Sequence, residues 1–365
     1  MKRRDFLKKA GLAAAASATL SPRVFAQNRD RRFRFEMVTS WPTSLDTLYG
    51  RATATADLLR EMTEGDLDIE VFPAGAQVGG FEVYDAVSSG AFAMGNTAPY
   101  YYITRRQAHG FFTAMPFGMN AQQHNAWLYD GNGQELWNEL NEPDNLIAFA
   151  SGNTGTQMGG WFRREINTVQ DLRGLTIRTP ALGGQVMARA GATVENLPGG
   201  EIYLALETGR IDAAEFTGPH DDEILGFQNV ADFYYGPGWQ EPGAALCNYI
   251  NLDVWNDLPT DIQAAIRMAS QAANVQLLAE YDARNFAALE RLVAGGTQAR
   301  TYSDEIMTEL RRVTDELHQE HIAADPLYAR IYEDWRAFKT SVREFHRIGE
   351  YAFSRFIYEV DQAQS

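Results

Sequence analysis

Strand-like and helix-like segments alternate through the first 215 residues, and that alternation constrains the fold more than any other feature. Residues 33–38 alternate apolar and polar side chains, as a half-buried strand does, and Trp41-Pro42 ends the run. Residues 45–62 carry apolar side chains at helical spacing. Leu67-Asp68-Ile69-Glu70-Val71-Phe72 predicts a second strand closed by Pro73, residues 81–87 a helix stopping near Gly90, and Ala91-Phe92-Ala93-Met94 a short buried strand. A second series begins at Leu146-Ile147-Ala148-Phe149-Ala150. It continues through a strand at 174–178, helices at 184–190 and 201–207, and a strand at 211–215. This pattern predicts an α/β fold with mainly parallel sheets covered by helices.

The N-terminus sets the compartment. Lys2-Arg3-Arg4-Asp5-Phe6-Leu7-Lys8-Lys9 is basic around a twin arginine, an Ala-rich stretch follows, and Val24-Phe25-Ala26 offers small residues at a cleavage point. That order predicts a signal peptide over residues 1–26, and the twin arginine before Phe6-Leu7-Lys8 predicts export of an already folded protein to the periplasm. Its apolar stretch falls well short of the ~20 residues that span a bilayer. Without residues 1–26 the chain loses six of its 32 basic and one of its 48 acidic residues, leaving a net charge of −21. Such a surface repels nucleic acid, so an anionic ligand has to be drawn in by a local cationic group. The lone Cys247 lies in an apolar run and reads as a buried, inert thiol.

About 340 residues then remain, more than one core usually holds, so two lobes are expected. No Gly/Ser-rich linker separates them, which predicts more than one crossing of the backbone. The first lobe is expected over 27–150, with later crossing segments near 240–260, the second over 151–239, and a helical region over 260–365. Thr260-Asp261-Ile262-Gln263 fits a capping box, and apolar residues from Ile262 to Leu289 keep helical spacing until Gly295-Gly296. A helix over 260–293 is ~50 Å long at 1.5 Å per residue, so it either spans both lobes or packs on another subunit. Residues 303–324 and 326–360 predict further helices, the second carrying an aromatic stripe from Tyr328 to Tyr358.

Three segments carry chemistry. A Gly-rich loop, Gly152-Asn153-Thr154-Gly155-Thr156-Gln157-Met158-Gly159-Gly160-Trp161, follows a strand. Arg178 ends a strand of otherwise buried type, and Pro180 directs the exit. Glu215 ends another, in Glu201-Ile202-Tyr203-Leu204-Ala205-Leu206-Glu207-Thr208-Gly209-Arg210-Ile211-Asp212-Ala213-Ala214-Glu215. Ligands of open α/β sheets bind beyond the carboxyl ends of strands, where Arg178 and Glu215 both lie. A guanidinium fork there suits a carboxylate held through two parallel hydrogen bonds.

Together these segments resemble the solute-binding proteins of tripartite ATP-independent periplasmic (TRAP) transporters, the DctP-type family. Arg178 with Pro180, Gly191-Ala192, and the block from Glu201 to Glu215 follow the family's pattern and spacing. The resemblance implies a two-lobed binding fold, Arg178 paired with a substrate carboxylate in the interlobe cleft, and delivery to TRAP membrane subunits. Gly218-Pro219-His220-Asp221-Asp222-Glu223 and Pro237-Gly238-Trp239-Gln240-Glu241 resemble the branch that binds 2-oxo acids or lactate together with a metal cation. That branch implies Na⁺ or Ca²⁺ held by side-chain oxygens of Gln157, Glu215 and Glu241 and by the carbonyl of Phe216, where the branch often has Trp. It also implies substrate contacts from Gln157, Asn153, Tyr100 and Tyr101, and a homodimer joined by C-terminal helices.

Two signals are discounted. His220-Asp221-Asp222-Glu223 looks like a metal cluster, but adjacent residues splay around a helix, and acidic residues in a first turn complement its dipole. The Gly-rich loop lacks the register and the Lys-Ser/Thr of phosphate loops. The competing reading is a periplasmic hydrolase or lyase using Glu215 and Glu241 as acid and base. None of the six histidines falls in the Arg178 or Glu215 motifs, and no nucleophile set stands near them, so a binding protein is expected.

Overall fold

The structure is a computed structural model that describes residues 32–364; the signal-peptide expectation lies outside the described residues. Two sheets organise it. The first has the order β2-β1-β3-β10-β4, from β1 (Phe33–Thr39), β2 (Leu67–Phe72), β3 (Met94–Thr97), β4 (Leu146–Asn153) and β10 (Ala245–Asn251). The second has the order β11-β9-β5-β8-β6-β7, from β5 (Gly160–Phe162), β6 (Thr176–Arg178), β7 (Thr193–Glu195), β8 (Ala213–Ala214), β9 (Phe233–Gly236) and β11 (Gln298–Thr301).

Both sheets are mixed. β1 pairs in parallel with β2 and β3, as the strand–helix alternation predicts. β10 inserts antiparallel to both β3 and β4, and β5 lies antiparallel to both β8 and β9. These strands lie next to crossings: the chain leaves the first sheet after β4 to form β5, re-enters it as β10, and returns to the second as β11. A strand that arrives from the other lobe need not obey the parallel rule that a helical crossover imposes.

Local readings shift for identifiable reasons. Residues 91–93 bend, and the third strand begins only at Met94. Its polar residues favour the sheet because Asn96 donates to Ser151 (3.0 Å) and Asn248 (2.8 Å) and accepts from the Trp41 indole (2.7 Å). The capping box at Thr260 does not form. Pro259 occupies the cap without a side-chain bond, and Gln263 donates instead to the Trp255 carbonyl at 2.8 Å. The helix expected over 326–360 breaks at Gly349 into Pro326–Ile348 and Glu350–Gln364.

The helix Thr260–Ala294 braces both lobes. Ile262, Ile266 and Ala269 join Met37, Leu59 and Ile250 in one core cluster, while Leu277, Tyr281 and Leu292 join the other with Trp161 and Tyr234. The aromatic stripe that follows is divided. Tyr328 and Trp335 pack on Phe111 at ring distances of 4.9 and 5.5 Å, whereas Phe345, Ile348, Tyr351, Phe353, Phe356 and Tyr358 stand at least 60% exposed. No helix among the described residues is long and apolar enough to cross a membrane.

Candidate ligand and cation site

Strand register brings the key pair together. β6 pairs in parallel with β8, Arg178 opposite Ala214, so Glu215 is the next step along the neighbouring strand. Its amide donates to the Arg178 carbonyl at 2.9 Å. Arg178 is wholly buried, and most of its fork is engaged: Nε donates to the Leu197 carbonyl (3.0 Å), and Nη1 to the Glu215 carbonyl (2.5 Å) and carboxylate (3.4 Å). The guanidinium also lies over the Phe216 ring, 5.5 Å from its centre. Nη2 alone has no partner. The expected two-armed clamp therefore has one free arm here, because the other nitrogens tie the end of β6 to the segments that follow β7 and β8.

The loop after β4 supplies the third group. Asn153 accepts from the Gly155 amide (2.9 Å) and donates to the Gly243 carbonyl (3.4 Å), so its side chain is committed to shaping the turn. Thr154 Oγ1 accepts from Gln157 Nε2 (3.0 Å), which fixes the amide and leaves Gln157 Oε1 without a donor. The backbone of Gln157 ties to the segment carrying Glu241: its amide donates to the Glu241 carbonyl (3.1 Å), and its carbonyl accepts from Gly238 (2.8 Å). A Cβ at Gly238 would lie 2.4 Å from that carbonyl, so only glycine permits this approach.

From the first lobe come two tyrosines. The short helix Pro99–Tyr102 presents Tyr100 and Tyr101 stacked at 4.8 Å, with Tyr101 braced by Phe81 at 4.7 Å. Burial raises the pKa of both above the usual phenol value, and Glu241 adds to the rise, which puts them beside the carboxylates. Tyr102 turns away: its hydroxyl shares a hydrogen bond with Thr97 (2.9 Å), and its ring packs on Tyr84.

Electrostatics follow from the burial of these groups. Burial pushes Glu215 up to about 7, against the pull of Arg178, with Asp222 adding to the rise. Burial and the neighbouring Glu215 hold Glu241 well above the carboxylate range. Two carboxylates this close and this buried do not both ionise unless a cation joins them. Glu215 Oε1, Glu241 Oε2 and Gln157 Oε1 are buried acceptors without a donor. Among the described residues, no donor reaches the Phe216 carbonyl either. Orphaned acceptors in this number fit a hard cation, and their all-oxygen character fits Na⁺ or Ca²⁺ rather than a softer metal. The orphaned donor beside them, Arg178 Nη2, fits an anion. Only two of these groups are carboxylates, and no cluster of three His, Cys, Asp or Glu that could hold a metal occurs among the described residues.

The acidic run after Gly218 opens the helix Pro219–Leu225, with Asp221 and Asp222 in its first turn as expected, and both are buried, at 0% and 1% exposure. Asp221 accepts from Thr47 (2.6 Å), Tyr281 (2.6 Å) and Thr217 (3.0 Å), and Asp222 from Tyr234 (2.6 Å) and Trp161 (3.0 Å). Sequence reasoning also passed over Thr154 and the Leu197 carbonyl, which position Gln157 and Arg178.

Comparison with known proteins fits this geometry. Residues 37–325 match the family described as bacterial extracellular solute-binding protein, family 7. A monocarboxylate 2-oxoacid-binding periplasmic protein of Nostoc sp. is 45% identical over 360 residues, covering 98% of this chain and 99% of that protein. A TRAP transporter solute-binding protein from Bordetella bronchiseptica superimposes with a TM-score of 0.90 at 38% identity, over 92% of this chain and 100% of that one. It was crystallised as a mixed-occupancy dimer with calcium and picolinate in the occupied site. A TRAP periplasmic solute-binding protein from Pseudoalteromonas atlantica, with sodium and pyruvate bound, gives a TM-score of 0.86 at 34% identity, over 89% of this chain and 99% of that one.

Proposed function

The chain belongs to family 7 of the bacterial extracellular solute-binding proteins, and from that premise we propose that it captures a small monocarboxylate, a 2-oxo acid such as pyruvate or else lactate, together with a metal cation. It acts in the periplasm as the receptor that hands this ligand to TRAP membrane subunits, and it is a binding protein rather than an enzyme. One observation supports the reading above the rest: three buried oxygens without donors face the same site as one buried guanidinium nitrogen without an acceptor.

Gln157, Glu215, Glu241 and the Phe216 carbonyl are the cation's ligands in this reading. The cation neutralises the two carboxylates and gives the ligand's oxygens a positive surface. Arg178 Nη2 donates to the ligand's carboxylate, and Tyr100 and Tyr101 close over it from the first lobe. Asn153 contributes by holding the loop that carries Gln157. Residues 27–150 with β10 form the first lobe, and residues 151–239 the second. The exposed aromatic face of the last two helices serves a homodimer, and the leader directs twin-arginine export.

Calorimetry with pyruvate, lactate, 2-oxobutyrate and succinate tests the assignment, run with Na⁺ or Ca²⁺ and again after chelation. Pyruvate or lactate should bind at one per chain, more tightly with cation than without. Preference for succinate, or equal affinity after chelation, would refute the corresponding half of the proposal.

A further inference from the structure

The cation reading above leaves open which ion the site prefers, and the carboxylates behind it bear on that. Asp222 sits on the far side of the Phe216–Thr217 peptide from the ligand oxygens. Its Oδ2 accepts from the Tyr234 hydroxyl and the Trp161 indole, and its Oδ1 faces the Thr217 amide at 3.4 Å. That amide and the Phe216 carbonyl belong to one peptide unit. A carboxylate at the N–H end polarises the unit and makes the carbonyl oxygen a stronger ligand for a positive ion.

Charge counting points the same way. Within the buried site, Glu215, Glu241 and a bound monocarboxylate set three negative charges against Arg178. Na⁺ leaves one of them uncompensated, and Ca²⁺ leaves none. Asp222 and Asp221 then add negative potential from behind. Their partners are hydroxyls, an indole and an amide, and no arginine or lysine pairs with either among the described residues. Affinity at all-oxygen sites follows the charge of the surrounding ligands.

We propose that Asp222 is a positioning residue that sets the site's preference for Ca²⁺ over Na⁺, through its charge and through the Phe216–Thr217 peptide. It touches neither ion nor ligand, so its effect falls on selectivity.

The test uses the full mature protein, stripped of cation and held at pH 8, where Asp222, pushed up to about 7 by burial, is ionised. CaCl₂ or NaCl is titrated with pyruvate held at one concentration and at constant ionic strength, followed by calorimetry and tryptophan emission. Wild type should bind Ca²⁺ at least ~1,000-fold more tightly than Na⁺. Asp222→Asn should weaken Ca²⁺ by ~10-fold or more and Na⁺ by less, so that the ratio falls. Equal binding of the two ions by wild type overturns the inference alone, and needs no variant to fold. An unchanged ratio in Asp222→Asn overturns it as well. Pyruvate capture indifferent to chelation would instead remove the cation reading, and this inference with it.

Discussion

The two faces of the site differ in kind. The face built on the second lobe and on the segment leading from it into β10 is charged and unsatisfied: Arg178, Glu215, Gln157 and Glu241 each keep one polar atom without a partner. The face from the first lobe is aromatic, with Tyr100 and Tyr101 stacked on each other and braced by Phe81 and Trp41. Buried charge without a partner is costly, and it persists where a ligand completes it. Stacked aromatics are stable as they stand and supply a wall. The second lobe should therefore carry recognition, and the first lobe closure.

The strongest way to break this comparison is at Arg178. Arg178→Ala leaves the ligand's carboxylate unpaired and should weaken binding by ~3 kcal/mol or more, with Arg178→Lys recovering only part. The lysine lacks the fork that also holds the Leu197 and Glu215 carbonyls. An Ala variant folded by circular dichroism and of unchanged affinity would show that recognition does not reside on this face.

Proton competition is the next largest effect. In the cation-free site burial pushes Glu215 up to about 7, so its proton must leave before a cation binds. Cation-dependent affinity should rise with pH through that value and should fall by ~10-fold per unit below it for each proton displaced, since burial and Glu215 hold the Glu241 proton as well. Titrations in buffers of different ionisation enthalpy should show proton release on binding near pH 6.5. Flat affinity between pH 5.5 and 8 would mean that the carboxylate pair does not hold the ion.

The same division governs what the sequence made legible. Arg178 and Glu215 were readable because each ends a strand, and β6 and β8 are neighbours in the sheet, so linear position translated into adjacency. The long helix was readable from its period and from the glycines that stop it. Resemblance, not periodicity, singled out Gln157 and Glu241, since their meeting depends on a loop-to-loop contact through Gly238 that no local pattern encodes. Asp221 and Asp222 lie in a first turn as read, but their burial was not legible. It depends on partners at Thr47, Trp161, Tyr234 and Tyr281, which span a sequence separation of 234. The aromatic period runs on through Gly349 and hid the break there.

On the first-lobe face the expected effect is smaller. Tyr101→Phe removes one hydroxyl and leaves the stacking surface, so it should cost ~0.5–1.5 kcal/mol in ligand affinity, measured by the same calorimetry. A loss as large as that of Arg178→Ala would place recognition on both faces and erase the distinction.

The smallest effect on binding should come from the far end of the chain. Removing residues 349–365 takes away the helix whose Tyr351, Phe353, Phe356 and Tyr358 stand exposed, but none of the groups with orphaned atoms. The helix Thr260–Ala294, which buries residues in both core clusters, stays intact, so the lobes keep their brace. An apolar face of this kind on an otherwise acidic surface needs a cover, and a second copy supplies one with the same face. Light scattering should therefore report a dimer for the full mature chain and a monomer for the truncated one, while pyruvate affinity and the stoichiometry of one per chain stay within twofold. Should affinity collapse on truncation, the partner copy contributes to the cleft, and recognition is not a property of one chain's second lobe. Should the full chain scatter as a monomer, the aromatic face has another use, and the ligand site stands as described.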